Sequence, residues 1–357
     1  MAKPLQKPIA PLSVPPERRF ATLDGRRLEW LPAVAVAILV ALLPMFLSPY
    51  LQELALKIVI YAIFALSLEL LVGMTGLISL GHAAFYGIAA YVTVLVSADT
   101  TTSLPILIGL SMLAAGAYAL VVGALSLRTR GVYFIMVTLA FAQMAFFVFH
   151  DTAIGGGSDG MFLNTRAALN LAGRTWIDLD NARHLYFFTL GCLCLTYGLL
   201  ALLRRSRFGH ALAGIRINEQ RMRAAGYNTY FYKLAAFVMA GMLAGLAGFL
   251  NATKNGAVNP ELLSWHESGA VLLMIILGGL GSLRGAVLGA VAFVLLKEFF
   301  ASEALFGAFA ARWQLTLGLT MILCVALLPG GLIGLGRALH RLLPTRRVPG
   351  NRGHDAL

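Results

Sequence analysis

The chain has 357 residues, 59% of them hydrophobic and only 12% charged, with a mean hydropathy of +0.79. Soluble domains carry about a quarter charged residues, so this composition, with apolar runs near 18 residues, excludes a water-soluble globular protein. The net charge of +12 is spread between apolar runs and is not gathered on one domain, which excludes a nucleic-acid binder as well.

In chain order, residues 1–30 make a polar, Pro-rich head with Arg18, Arg19, Arg26 and Arg27. The head is long for a signal peptide, and the apolar run 31–48 behind it is too long for a typical signal core. An uncleaved first span is therefore expected. Further spans are predicted at 54–72, 76–96, 104–127, 132–150, 185–203, 233–251, 268–283, 285–300 and 314–330. Most approach the roughly 20 residues needed to cross about 30 Å of hydrocarbon. The eighth and ninth are short and meet at "LGGLGSLRGAVLGA". That pattern suits either a broken helix beside a transport path or Gly-rich helix packing.

Lys and Arg set the orientation. With the N-terminus inside, the inner segments hold twenty-one of these residues and the outer loops five. Lys57 and Lys297 lie near span ends, where they can snorkel to the headgroups. The fold expected is an all-α integral membrane protein of about ten transmembrane segments, some short or broken, with both termini cytoplasmic. Its parts are a head (1–30), a transmembrane domain (31–335) and a basic tail (336–357). The domain carries a cytoplasmic loop at 204–232 and a long external loop at 151–184. "TGLISLG" (Thr75–Gly81) and "GGLGSLR" (Gly278–Arg284) share a G-L-x-S-L frame, and this topology puts both near the cytoplasmic side. An inverted repeat would set them on opposite sides.

The cytoplasmic loop contains "SRFGHALAGIRINEQRMRAAGYN", Ser206–Asn228, with four arginines. Arg216, Glu219, Gln220 and Arg223 fall on one helical stripe, while Ala211, Leu212, Ile215 and Met222 gather towards the other side. Glu219 stands four residues before Arg223, the favourable order for an ion pair, and Gly226 supplies a stop. A short amphipathic helix under the membrane domain is predicted. A loop that only enforces orientation needs basic residues but no face, so the face points to docking of a soluble partner.

Nothing in the sequence reads as catalysis. There is no Gly-Lys pair and so no phosphate-cradling G-x-x-x-x-G-K-[ST], and no H-E-x-x-H. Cys192, Cys194 and Cys324 fall in apolar segments and read as packing residues. Polar residues at membrane depth face a partner or a pathway. Glu69 reads as a glutamate at headgroup level near the inner end of the second span. Ser79 and His82 open the third span in a Gly-flanked "SLGH" turn, with Tyr86 and Tyr91 further along it. His82 can equally bond a neighbouring helix. Thr138 and Gln143 are the polar residues of the fifth span, and an inter-helix bond is an alternative for Gln143. No unpaired acid is expected at mid-span, which argues against a proton- or sodium-coupled carrier. "GGGSDGM" (Gly155–Met161) reads as part of a flexible solvated connector, or as a receptor for an external binding protein.

Several blocks carry a family resemblance. They are "SRFGHALAGIRINEQRMRAAGYNTYFYKLAAFVMAGMLAGLAGFL", "GMTGLISLGHAAFYGIAAY", "LRTRGVYFIMVTLAFAQM" and "GGLGSLRGAVLGA", with "GGGSDGM" fitting the loop after the third. Over about residues 55–335 the chain resembles the branched-chain amino-acid ABC transporter permeases, specifically the longer of their two membrane subunits. The resemblance implies a multi-pass protein of the bacterial inner membrane, working with ABC ATPase subunits, a second related permease subunit, an external substrate-binding protein and membrane lipid. No cofactor is implied in this chain, since the partner subunits use the ATP, and no nucleic acid is implied. It implies ATPase coupling through Arg207, Phe208, Gly209, Arg216, Asn218, Glu219, Ala225 and Gly226, although Gln220-Arg221-Met222 departs from the acidic-Ala-Ala pattern of many importers. The substrate path is expected at Ser79, His82, Tyr86, Thr138 and Gln143. A urea or short-amide permease, a stand-alone ion-coupled carrier and a non-transport scaffold are the alternatives.

Overall fold

The computed structural model describes residues 48–99, 103–163, 168–171, 174–328 and 330–334. The predicted head, tail and first span (all but Ser48) lie outside them. Hydrocarbon offers no partner for a free N–H or C=O, so the apolar runs satisfy their backbones internally as helices.

α1 (Pro49–Glu69) runs on into a π-helical turn, Leu70–Thr75. Then come α2 (His82–Asp99), α3 (Leu104–Ser126), α4 (Val132–Asp151) and α5 (Ala182–Arg205). Two short helices, α6 (Arg207–Ile217) and α7 (Glu219–Ala224), lead to α8 (Thr229–Asn255). α9 (Trp265–Gly278), α10 (Leu283–Ala301) and α11 (Trp313–Leu327) complete the set, with a single turn of helix, Glu303–Phe306, before α11. β1 (Met161–Phe162) pairs antiparallel with β4 (Ala257–Val258), and β2 (Ala168–Leu171) pairs with β3 (Arg174–Asp178).

Among the described residues, 6 helices are long and apolar enough to cross a membrane alone. α9 and α10 pass only as a pair, bent by 116°, and α2 carries a shorter apolar helix, His82–Ser97. The short eighth and ninth spans of the sequence are therefore two helices meeting in a hairpin. The glycines stand at the break and also let the two helices pack closely. A Cβ on Gly278 would lie 1.8 Å from the Gly285 carbonyl, and one on Gly289 1.8 Å from that of Met274.

α1 and α8 form the centre and are mostly buried, whereas α4 and α11 bury few of their residues. The outer helices turn Leu113, Met136, Leu195 and Leu319 outwards, as a lipid solvent permits. α8 packs on α1, α2 and α3. Its glycines make this possible: a Cβ on Gly241 would meet Ala119, on Gly245 Ala115, and on Gly248 the Tyr86 carbonyl. Apolar side chains gain little by meeting one another in lipid, so close backbone approach through small residues is what joins such helices.

End-to-end contacts fix which loops share a face. At one end, Arg216 of α6 donates to the Gly73 carbonyl, Tyr230 donates to the Ala124 carbonyl at 2.9 Å, and Gly331 packs against Gly279. At the other, β1 meets β4, and Lys57 donates to Glu298 at 2.7 Å. Both G-L-x-S-L turns therefore lie at the end that carries residues 206–228, as the predicted topology requires, and they do not oppose one another.

Three sequence expectations need correction. Lys57 and Lys297 do more than snorkel: Lys57 pairs with Glu298, and Lys297 sits 4.8 Å over the Trp313 ring. "GGGSDGM" is more closely packed at its glycines than a solvated connector requires, while Gly156, Ser158 and Asp159 stay exposed. A Cβ on Gly155 would lie 2.2 Å from the Phe149 carbonyl, and one on Gly160 (φ 76°) 2.0 Å from that of Val258. Glu69, read as a headgroup-level glutamate near the inner end of its span, is buried in the protein to 2% exposure.

Candidate transport path and docking segment

Four of the five path residues named from sequence come together where α1, α2 and α4 meet. The chain leaves the π-helical turn through Gly76 (φ 75°), and Ser79 accepts from the Gly81 N–H at 3.2 Å. α2 then starts at His82, and a Cβ on Gly81 would lie 2.3 Å from the Thr138 carbonyl. Only glycine allows α4 so near the turn. Thr138 itself is buried and donates to the Ile135 carbonyl. Gln143, further along α4, is half-buried and lies outside this junction.

His82 is fully buried, with Nε2 2.8 Å from Ser67 Oγ. Ser67 already donates to the Phe64 carbonyl at 2.6 Å, so its oxygen accepts from the ring and Nε2 carries the proton. Nδ1 has no partner among the described residues, and neither does the buried Tyr86 hydroxyl. Phe64 stacks on both rings, at 5.5 Å from His82 and 4.6 Å from Tyr86, and Phe85 meets His82 edge-on. The junction therefore holds an aromatic wall with two unsatisfied polar atoms set into it. Tyr91, predicted as an anchor or packing residue, is buried and stacks 4.3 Å from Phe149.

The sequence reading missed the other side of this junction. Tyr61 donates to Glu267 at 3.2 Å, and Ser268 accepts from the Ala83 N–H at 2.9 Å, so the first turn of α9 is joined to α1 and α2. Ser264 and Glu267 have capping-box spacing, which disguises Glu267 as a helix-start residue. In the structure Ser264 makes no side-chain cap bond, and the glutamate turns to Tyr61 instead.

The docking segment differs from the single predicted helix. Asn218 takes an extended conformation (φ −156°) and caps α7 by accepting from the Arg221 N–H, so the helix breaks there. The break divides the predicted stripe. Arg216 reaches back to Gly73, while Glu219 binds Arg223 at 2.5 Å, Thr229 at 3.0 Å and Lys233 at 2.6 Å. The predicted Glu219–Arg223 pair is present and belongs to a larger knot that ties α7 to the start of α8. Burial alone would raise the Glu219 carboxyl. The hydrogen bonds from Lys233 and Thr229, then the charge of Lys233 and the hydrogen bond from Arg223, outweigh it and hold the group at about 2.

α6 is capped by Ser206, which accepts from the Gly209 N–H. A Cβ on Gly209 would lie 2.1 Å from the Leu203 carbonyl, so glycine lets α6 fold back directly on α5. Ala211, Leu212 and Ile215 are buried on the near side, as the amphipathic pattern predicts. Phe208 is half-buried and stacks on Tyr232 at 5.4 Å. Arg207, Asn218, Ala225 and Gly226 face outwards with Ile217, which is 84% exposed, and Tyr227. The exposed end of the two short helices thus presents Ile217 among the charged side chains of Arg207, Arg216 and Arg221.

This is a multi-pass α-helical membrane protein in which a helical loop is braced against a broken-helix turn. The family described as "Branched-chain amino acid transport system / permease component" matches residues 50–327. The chain is 30% identical over 346 residues to the "High-affinity branched-chain amino acid transport system permease protein LivM" of Escherichia coli K12, covering 90% of this chain and 79% of that one. The protein of the same name from Salmonella typhimurium LT2 matches equally well over the same shares. The "Xylose transport system permease protein XylH" of Escherichia coli K12 is 30% identical over 128 residues, 34% of this chain and 32% of that one. No solved structure matches. The chain belongs to the branched-chain amino acid permease family and is an ABC transporter permease.

Proposed function

We propose that this chain is a translocation subunit of an importer for branched-chain amino acids in a bacterial inner membrane, driven by separate ATPase subunits. A second related permease subunit and an external binding protein would complete the assembly. The observation that carries the reading is the family match over residues 50–327, with its 30% identity across 90% of the chain to a branched-chain amino acid permease. The geometry supports how it would work. ATPase closure would press on α6 and α7 through Arg207, Phe208, Asn218, Ala225 and Gly226, with the buried Gly209 seating α6 on α5 and Arg216 and Glu219 carrying the load to the bundle.

The substrate would pass the junction of α1, α2 and α4, along Ser79, His82, Tyr86 and Thr138, with Gln143 further up the path. The junction's neutral hydroxyls and aromatic faces suit weak contact with an apolar amino acid, and tight capture can be left to the external receptor. No resident cofactor is needed in this chain, because the ATP is spent by its partners.

The test is uptake into vesicles by the reconstituted assembly. ATP-dependent uptake of leucine, isoleucine or valine, needing both the ATPases and the binding protein, is the expected result. Uptake by this chain alone on a sodium or proton gradient overturns the reading, and preference for urea or a short amide overturns the substrate.

A further inference from the structure

Arg216 touches more of the bundle than its place on a surface loop requires. Its guanidinium donates to the Gly73 carbonyl inside the π-helical turn. Its stem lies over Gly76, where a Cβ would come 3.3 Å from Cγ, and its Nη1 would be 3.8 Å from a Cβ on Gly281. Gly76 and Gly281 both have positive φ, 75° and 85°, and each belongs to one of the two G-L-x-S-L turns. One side chain of the docking segment thus rests on both turns, the one opening α2 and the one between α9 and α10.

Glu69 also lies against Gly73. A Cβ at Gly73 would fall 2.1 Å from Glu69 Oε1, so the missing side chain is what makes room for the carboxylate. The backbone N–H groups of Gly281 and Ser282 face that carboxylate, and Arg204 and Arg216 are the cations beside it. Its Oε2 is buried without a partner among the described residues. A buried carboxylate with a vacant oxygen is costly, and a guanidinium is the donor whose fork best matches it. π-helical turns within α-helices are also frequent at functional sites.

From this arrangement we propose that Arg216 and Glu69 form a two-position latch between the docking segment and the paired turns. In the position seen here Arg216 holds the Gly73 carbonyl. When α6 is driven towards the bundle, its guanidinium passes to the vacant oxygen of Glu69, pulling α1 and the α9–α10 turn together. Both are positioning residues. The inference rests on the proposed coupling role of α6 and names the contacts that carry it.

The test uses the whole assembly with Arg216→Ala, Arg216→Lys, Glu69→Gln and the Arg216→Ala/Glu69→Gln double variant, measuring uptake and ATP hydrolysis together. Loss of one charge-assisted hydrogen bond corresponds to about tenfold. Each single variant is expected to lower uptake per ATP by about that factor, with hydrolysis within about twofold of the parent and Arg216→Lys recovering part of the loss. The double variant should be no worse than either single one. Multiplying losses, or uptake per ATP unchanged in both singles, overturns the latch.

The same cycle read as thermal midpoints of the whole assembly, held with its ATPases closed on a non-hydrolysable ATP analogue, needs no transport, so it separates the latch from the function reading. Non-additive shifts support the latch, and additive shifts overturn it even where uptake is lost for other reasons. If the unaltered assembly shows no ATP-driven uptake, the transport reading fails while this cycle still decides the contact.

Discussion

Gly248→Ala tests the helix packing beside the proposed path. The added Cβ would lie 2.0 Å from the Tyr86 carbonyl oxygen, 2.9 Å from its carbon and 3.2 Å from Cα. All three are backbone atoms, so no side chain can swing aside. α8 must retreat from α2 by about 1 Å or more, loosening the close approach of Gly241 to Phe85 and of Gly245 to Ala89. Overpacking of this kind costs about 1–3 kcal/mol, and a backbone obstacle belongs at the upper end. In a bundle of this size that corresponds to about 3–10 °C in thermal midpoint. Gly191→Ala on α5 is the matched control, because nothing lies within 4 Å of its Cβ position. In a helix interior, alanine is favoured over glycine by up to about 1 kcal/mol. Unfolding in detergent, followed by circular dichroism, should therefore show a clear fall for Gly248→Ala and no fall for Gly191→Ala. Equal midpoints for the two variants would refute the packing argument.

Ser67→Ala removes the partner of His82 Nε2 and leaves both ring nitrogens buried and unpaired; a loss of about 1–3 kcal/mol is expected, read as a lower midpoint, and an unchanged one would count against the assigned bond. Glu219 is held at about 2, below its ordinary 4.5, so its contribution is present above about pH 4.5 and lost as pH falls towards 2. With its side chain 24% exposed, that contribution is about 1–3 kcal/mol. Hydrogen exchange over residues 219–233, corrected for intrinsic rate, should lose protection in that window, whereas Glu219→Gln should be weakly protected and flat across it. Identical profiles would show that the knot does not hold α7.

Much of the bundle was legible in the sequence because hydrocarbon leaves the chain few options. Long apolar runs must be helices, and the predicted spans from 54–72 onwards each correspond to a helix of the described residues. The "SLGH" turn was legible for a similar reason, since glycines beside small polar residues mark close backbone approach. What escaped were the features fixed by partners distant in sequence. Asn218 reads as one polar residue on a helical stripe, and its capping bond to Arg221 breaks the helix and redirects Arg216 to a second surface. Glu267 hides in a capping box, and its partner Tyr61 stands 206 residues away. Lys57 and Glu298 sit near the ends of separate spans, where each alone looks like a headgroup contact. The seat made by Gly155–Gly160 depends on Val258, which no local pattern indicates.

The proposed coupling of this chain to an ATPase through α6 and α7 is tested most directly by a photo-crosslinking residue in place of Ile217, which is 84% exposed at the tip of the segment. In membranes holding the full assembly, irradiation should join this position to an ATPase subunit. The same residue at Leu202, 71% exposed on α5, should give no such product. Reaction of position 217 with reagents confined to the outside of the cell, or crosslinking that never includes an ATPase, would contradict it.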